Sequence, residues 1–191
     1  MNSTIDYYNK NAAEYCKKTI DVPMQSIYDR FVSYLNPGDR LLDLGCGSGR
    51  DSIYFLSQGF DVVSVDGAME ICKIAKKNIG KEVRNIRFED LDYNNEFDAI
   101  WASASLLHIS RDRIDFIVEK ILLALRKDGI LYASWKCGDR DRTYDGRSYS
   151  DMTKEDVTDL FSKFGVKIMD LWISGDQLKR DNEWLNIVIK K

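Results

Sequence analysis

The sequence holds a single histidine, His108, which excludes a metal centre built on several imidazoles. Its four cysteines, Cys16, Cys46, Cys72 and Cys137, lie far apart and form no CxxC pair. Neither zinc ligation nor a disulfide framework is therefore expected, and they read as reduced thiols in or near the core. No apolar run approaches the roughly 18 residues that a membrane span needs. The first residues, MNSTIDYYNKNAAEY, lack the apolar centre of a signal peptide, so a cytoplasmic protein without membrane attachment is expected. There is no long block of Lys and Arg and the formal net charge is −3, which leaves no electrostatic footprint for nucleic acid.

What is present is the ordinary balance of a globular chain. The 191 residues fit one domain, with two helical patterns over 1–38 ahead of an α/β core over 39–191. In the first helix Tyr8, Ala12 and Tyr15 share a face; in the second, Ile27, Phe31 and Leu35 do, and Pro37-Gly38 ends it. From Arg40 onward β-rich runs alternate with helical ones. RLLDL (40–44) and DVVSVD (61–66) read as strands, each followed by a helix, over 51–58 and 69–78. NIRFED (85–90) reads as a third strand and FDAIWASA (97–104) as a fourth. Ile114, Ile117, Val118, Ile121, Leu122 and Leu125 then fall at helical spacing on one face. ILYASW is the fifth strand, after which a helix carrying Val157, Leu160, Phe161 and Phe164 stops at Gly165. VKIMDLWI and EWLNIVIKK are joined by a polar turn with no crossover helix, so they are expected to pair antiparallel. The pattern predicts a doubly wound α/β fold, a mostly parallel, Rossmann-like sheet of seven strands with an antiparallel C-terminal hairpin.

Between the first strand and its helix stands LGCGSGRD, with Gly45, Gly47 and Gly49 where an open α/β sheet binds its ligand. Glycines there permit positive φ and let a ligand touch the backbone. Two ligands fit, a dinucleotide or a nucleoside without phosphates. A GxGxxG fingerprint needs its third glycine where Arg50 stands. Asp51 opens the helix, where a diphosphate wants bare N–H groups and positive potential. Asp43 and Asp51 nearby instead favour a positively charged nucleoside. Asp66, about 20 residues on, can accept both ribose hydroxyls with either ligand. In FEDLD, Asp90 can accept from an adenine amino group with Leu91 beside the ring.

LDLGCGSGRD, the acidic strand end SVD, EDL and FDAIWASASLLH together resemble the class I S-adenosylmethionine-dependent methyltransferases, the small-molecule and tellurite-resistance-like members above all. The resemblance implies S-adenosylmethionine as cofactor, S-adenosylhomocysteine as product, no metal, and a small-molecule methyl acceptor. It implies that Asp43, Gly45 and Gly47 line the methionine part of the cofactor, with Cys46 and Gly49 in the same loop. Asp66, followed by Gly67, would hold the ribose, Met69 would cover an adenine face, and Asp90 and Leu91 would meet the adenine edge. Ser103 would lie near the methionine moiety. YYNKNAAEY resembles the N-terminal lid helix of such enzymes, with Tyr8 and Tyr15 closing over the sulfonium.

Methyl transfer demands no obligatory catalytic residue unless the attacking atom must lose a proton. His108, just past the fourth strand, then has two readings: a general base, or a residue capping the strand-to-helix loop with its ring bonded to backbone. The loop WKCGDRDRTYDGRSY carries Lys136, Arg140, Arg142 and Arg147. Arg140 and Arg142 are expected to pair with Asp139, Asp141 and Asp145, whereas Lys136 and Arg147 are expected to bind substrate, the latter by a bidentate grip on a carboxylate or phosphate. The four tryptophans are expected to pack in or against the sheet. RNA or protein methylation, a nicotinamide-dependent oxidoreductase and a non-catalytic cofactor-binding protein remain as alternatives.

Overall fold

The computed structural model describes residues 3–178 and 180–191. Seven strands form the main sheet: β1 (Arg40–Leu44), β2 (Asp61–Asp66), β3 (Val83–Asn85), β4 (Phe97–Ala102), β5 (Leu125–Lys136), β8 (Lys167–Gly175) and β9 (Glu183–Lys190), in the spatial order β3-β2-β1-β4-β5-β9-β8. The first five run parallel, and β9 lies antiparallel to both β5 and β8. The chain leaves β1 for β2 on one side and returns to β4 on the other, so the loop after β1 sits at the topological switch point.

Helices cover both faces. Strand alternation sends Leu42 and Leu44 to one side, with Ile117, Val118 and Ile121 of α5 (Ile114–Ala124) and Val157 and Phe161 of α6 (Lys154–Ser162). Leu41 points to the other side, among Tyr28 and Phe31 of α2 (Gln25–Val32), Phe55 of α3 (Arg50–Ser57), and Trp101 and Tyr132 of the sheet. Trp101 and Trp135 are fully buried, as packing residues should be. Helix α1 (Ser3–Thr19), kinked at Asn11, lays Ala12 and Cys16 against Ala68 and Ile71 beside α4 (Met69–Ile79). No helix among the described residues is long and apolar enough to cross a membrane.

Three elements differ from the sequence reading. Leu125, read on the face of the helix that begins at Ile114, instead opens β5, five residues before ILYASW. The third strand lies at Val83–Asn85, and residues 88–90 form a 3₁₀ turn instead. Strand β2 ends at Asp66, and its carbonyl takes the Ile86 N–H (3.1 Å) as the last ladder bond, so the following residues have no strand to pair with. The basic segment after β5 is not all loop. Strands β6 (Asp141–Tyr144) and β7 (Arg147–Ser150) form a hairpin, closed by Asp145 and Gly146 with φ of 52° and 74°. Positive φ at both central residues is the reason an Asp-Gly pair serves this turn.

Candidate active site

The glycine loop is fastened to β2 by its own amides. Gly45 N and Cys46 N both donate to the Val65 carbonyl at 2.9 Å, and Gly49 N donates to the Cys46 carbonyl at 2.9 Å. Gly47 N donates to Asp66 Oδ2 at 3.1 Å. Gly45, at φ 82°, has no space for a side chain: a Cβ there would meet the Ser105 Cβ at 2.6 Å. Gly49 caps α3 in the left-handed region, and its missing Cβ admits Ile79 of α4. It thus serves the close helix packing that a third glycine provides in dinucleotide folds.

Two adjoining cavities open along the carboxyl edge of the parallel strands, of about 170 and 90 Å³. Tyr8, Tyr15, Gly45, Gly47, Ala104 and His108 border both. Cys46, Ser103, Lys136 and Arg147 line the larger cavity. Asp66 and Gly67 line the smaller, with Ile86, Phe88 and Glu89. Of the expected cofactor residues, five stand elsewhere. Gly49 is within the helix cap, Asp43 lies buried behind the loop, and Met69 is exposed at the start of α4. Asp90 is exposed, and Leu91 belongs to the core. Their neighbours Phe88 and Glu89 reach the cavity because the 3₁₀ turn aims them at it.

The expected acidic rim at the loop is not formed. Asp43 accepts from Ser52 Oγ (2.5 Å), and burial together with the charge of Asp51 pushes its carboxyl well above the usual range. Asp51 is held on all sides: by Arg50 Nε and Nη2 at 2.6 and 2.9 Å, by Trp101 Nε1 at 2.8 Å and by the Tyr28 hydroxyl. Burial alone would raise its pKa, but the Arg50 charge and these donors hold it below the usual carboxylate range. Arg50 and Asp51 therefore cancel as a buried pair. Burial raises the pKa of Asp66, and the N–H groups of Gly47 and Ala68 (2.9 Å) oppose that rise. Each Asp66 oxygen keeps an acceptor site beyond its backbone bond.

A buried hydroxyl supplies a test of what the smaller cavity takes. Ser105 Oγ lines it and has no hydrogen-bond partner among the described residues, and a buried polar atom is costly unless a ligand or water completes it. Asp66 and Ser105 thus fit a hydroxylated group such as ribose, while the faces of Tyr8 and Tyr15 attract an onium cation. A diphosphate fits poorly. It needs loop amides free to donate, and those of Gly45, Cys46, Gly47 and Gly49 are already spent.

Tyr8 and His108 meet over the junction of the cavities. The His108 Nδ1 lies 2.7 Å from the Ser148 carbonyl, an acceptor, so Nδ1 carries the proton. Nε2 is then bare and accepts from the Tyr8 hydroxyl at 2.9 Å. Burial lowers the pKa of His108 to about 4, the Ser148 carbonyl opposes, and the charges of Arg147 and Lys136 add to the fall. The imidazole is therefore neutral at physiological pH. Its ring is bonded to backbone, as one of the two sequence readings has it, and it borders both cavities. The β6–β7 hairpin supplies that carbonyl and fastens to α1 through Ser148 N and Thr4 Oγ1 (3.0 Å). Arg142 pairs with Asp151 (2.6 Å), not with Asp139, Asp141 or Asp145. Sequence reasoning missed Tyr149, Trp184 and Asn186, which line the larger cavity from β7 and β9.

The fold is a Rossmann-like domain with a cavity at the first βα turn whose lining suits a nucleoside. Residues 41–129 match a family model described as methyltransferase domain. In this segment and in its fold the chain is similar to S-adenosylmethionine-dependent methyltransferases. An uncharacterized methyltransferase of Synechocystis sp. is 29% identical over 99 residues, covering 50% of this chain and 46% of that protein. A probable S-adenosyl-L-methionine-dependent methyltransferase, TehB, of Haemophilus influenzae is 25% identical over 126 residues, 63% of this chain and 44% of TehB. The chain thus spans under half the length of these relatives. Among solved structures, the Burkholderia thailandensis 1,6-didemethyltoxoflavin-N1-methyltransferase, with 1,6-didemethyltoxoflavin and S-adenosylhomocysteine bound, shares the fold. Its TM-score is 0.84 at 22% identity, over 98% of this chain and 86% of that one.

Proposed function

We propose that this chain is an enzyme that transfers a methyl group from S-adenosylmethionine to a small-molecule acceptor. The observation that carries the reading is the pair of joined cavities: one offers Asp66 and the unpartnered Ser105 hydroxyl, the other is open to an acceptor. Bound at Asp66, Gly45 and Gly47, the cofactor supplies a methyl carbon on a sulfonium leaving group. The protein's part is to orient, to exclude water and to take a proton. Tyr8 and Tyr15 on α1, with the hairpin clasped to it, roof the junction where the two substrates meet.

His108 Nε2 takes the acceptor's proton by way of the Tyr8 hydroxyl. The acceptor's heteroatom lone pair forms the bond to the methyl carbon as the carbon–sulfur bond breaks with its electrons leaving on sulfur. Lys136 and Arg147, which line the larger cavity, contact the acceptor. Incubation with S-adenosylmethionine labelled in its methyl group and a small-metabolite extract should give a labelled low-mass product; label found only in added RNA or protein, or nowhere, contradicts the reading.

His108→Ala is expected to slow turnover by about 10²–10⁴-fold with S-adenosylhomocysteine affinity intact. The wild-type turnover should keep its base down to about pH 4 and lose it below. The same depression links to stability. The unfolded chain takes the proton first as pH falls, so the contribution of neutral His108 is complete above about pH 6.5 and is lost on descent to about 4. An acid limb of turnover near 6.5, or loss of cofactor affinity in the variant, would assign His108 a different role.

A further inference from the structure

The charge inventory of the larger cavity identifies the kind of molecule it takes. Its lining includes four cationic side chains and, among the described residues, two carboxylates, Asp51 and Asp176. Arg50 is committed to Asp51 at 2.6 Å and Arg180 to Asp176 at 2.8 Å. Asp176 also receives Trp184 Nε1 at 3.1 Å, so neither acid faces the cavity with an unbalanced charge. Lys136 and Arg147 remain.

Lys136 makes no ion pair among the described residues. Its ammonium instead lies 4.9 Å from the Tyr149 ring centre and 5.9 Å from that of Trp184. Burial and the charges of Arg142 and Arg180 lower its pKa, and Asp151 and Asp176 oppose that fall only in part. The one ion pair of Arg147 among the described residues is with the exposed Asp145, at 3.6 Å; its guanidinium also meets the Tyr8 hydroxyl, and its buried Nε has no partner. Its guanidinium lies 4.3 Å from the Tyr7 ring centre and 5.5 Å from that of Tyr149. Two cations thus flank one aromatic ring, Lys136 with no carboxylate at ion-pair distance among the described residues and Arg147 with only the exposed Asp145. An isolated buried charge is unfavourable, and an anionic ligand that supplies the missing acceptors removes the penalty.

The remaining walls are flat. Tyr149 and Trp184 flank Lys136, while Tyr8 and the His108 ring, at 5.5 Å between centres, face the junction with the smaller cavity. Such faces match a planar ring by stacking and leave little for an aliphatic polyol to bond.

We infer that, granted the methyltransferase reading, the acceptor is a planar aromatic or heteroaromatic acid whose anionic group lies between Lys136 and Arg147 and whose hydroxyl or ring N–H, turned toward Tyr8 and His108, is methylated. An aliphatic ammonium acceptor is disfavoured, because it would face Lys136 and Arg147 and, among the described lining residues, no carboxylate free of a cationic partner.

The test is calorimetry on the full chain saturated with S-adenosylhomocysteine, using four probes. 4-Hydroxybenzoate has ring and charge, 4-hydroxybenzamide the ring alone, 4-hydroxycyclohexanecarboxylate the charge alone, and tyramine the ring with the opposite charge. The acid should bind at least about tenfold tighter than each of the others. Lys136→Gln and Arg147→Gln should each weaken the acid at least about tenfold while S-adenosylhomocysteine affinity, which also reports folding, stays unchanged. The assignment is overturned if tyramine or the amide binds as well as the acid, if both variants keep the acid's affinity, or if no probe binds the loaded protein at millimolar concentration. Failure of S-adenosylhomocysteine itself to bind the wild-type chain would strike the methyltransferase reading, a separate outcome of the same titration.

Discussion

Asp66→Ala is expected to weaken S-adenosylhomocysteine binding at least about a hundredfold, from the loss of two charge-assisted hydrogen bonds to the ribose at about 1.5–3 kcal/mol each. The carboxylate has a second task that enlarges the effect. Its oxygens hold the amides of Gly47 and Ala68, so removing them frees the glycine loop on one side and the start of α4 on the other. Asp66→Asn separates the two tasks. An amide keeps one oxygen for one of the two backbone N–H groups and loses the charge, so it should recover part of the stability lost in Asp66→Ala and still bind the nucleoside poorly. Titration calorimetry with thermal melts on both variants checks this; a carboxylate dispensable for binding would place the ribose elsewhere.

Asp51→Ala is expected to cost about 3–5 kcal/mol of stability, the range for breaking one side of a buried ion pair. The loss is large because one carboxylate serves three donors. Without it the Arg50 guanidinium, the Trp101 indole N–H and the Tyr28 hydroxyl all stay buried without their acceptor. For a chain of this size the melting temperature should fall by roughly 6–20 °C. Tyr28→Phe removes one donor and leaves the carboxylate to the others, so it should cost only about 1 kcal/mol. A drop below 1 kcal/mol for Asp51→Ala would mean that the pair is not formed in solution.

These two aspartates show where reading the chain succeeds and where it stops. Asp66 ends a strand at a fixed offset from a glycine loop, and its place in the site follows from local order. Asp51 was legible as a helix-opening acid, but its partners Tyr28 and Trp101 stand 23 and 50 residues away, brought together only when α2 packs on the sheet. Without them it counts as a free negative charge at the loop; with them it is a spent one. Tyr8 and His108 are 100 residues apart, and no periodicity in either segment announces their bond. The hairpin after β5 is a different case. Asp145-Gly146 is a strong turn signal, but the short polar runs beside it carry little apolar alternation and read as loop. The third strand failed for a reason outside its own residues, since β2 ends before it does.

The parallel character of the sheet, by contrast, follows from the alternation of strands and helices, and its antiparallel end from the missing crossover before the last strand. The number of strands, the antiparallel end and the loop at the switch point are those the pattern predicts.

The preference for a phosphate-free nucleoside also survives on different grounds. The acids do not rim the loop; the loop's amides are spent within the protein, and an unpartnered hydroxyl lines the same cavity as Asp66. One titration decides it. Calorimetry of the chain with S-adenosylhomocysteine, and separately with NADH, should show saturable one-to-one binding of the thioether and no heat from the dinucleotide. Binding of NADH with no response to S-adenosylhomocysteine would contradict the account at its foundation.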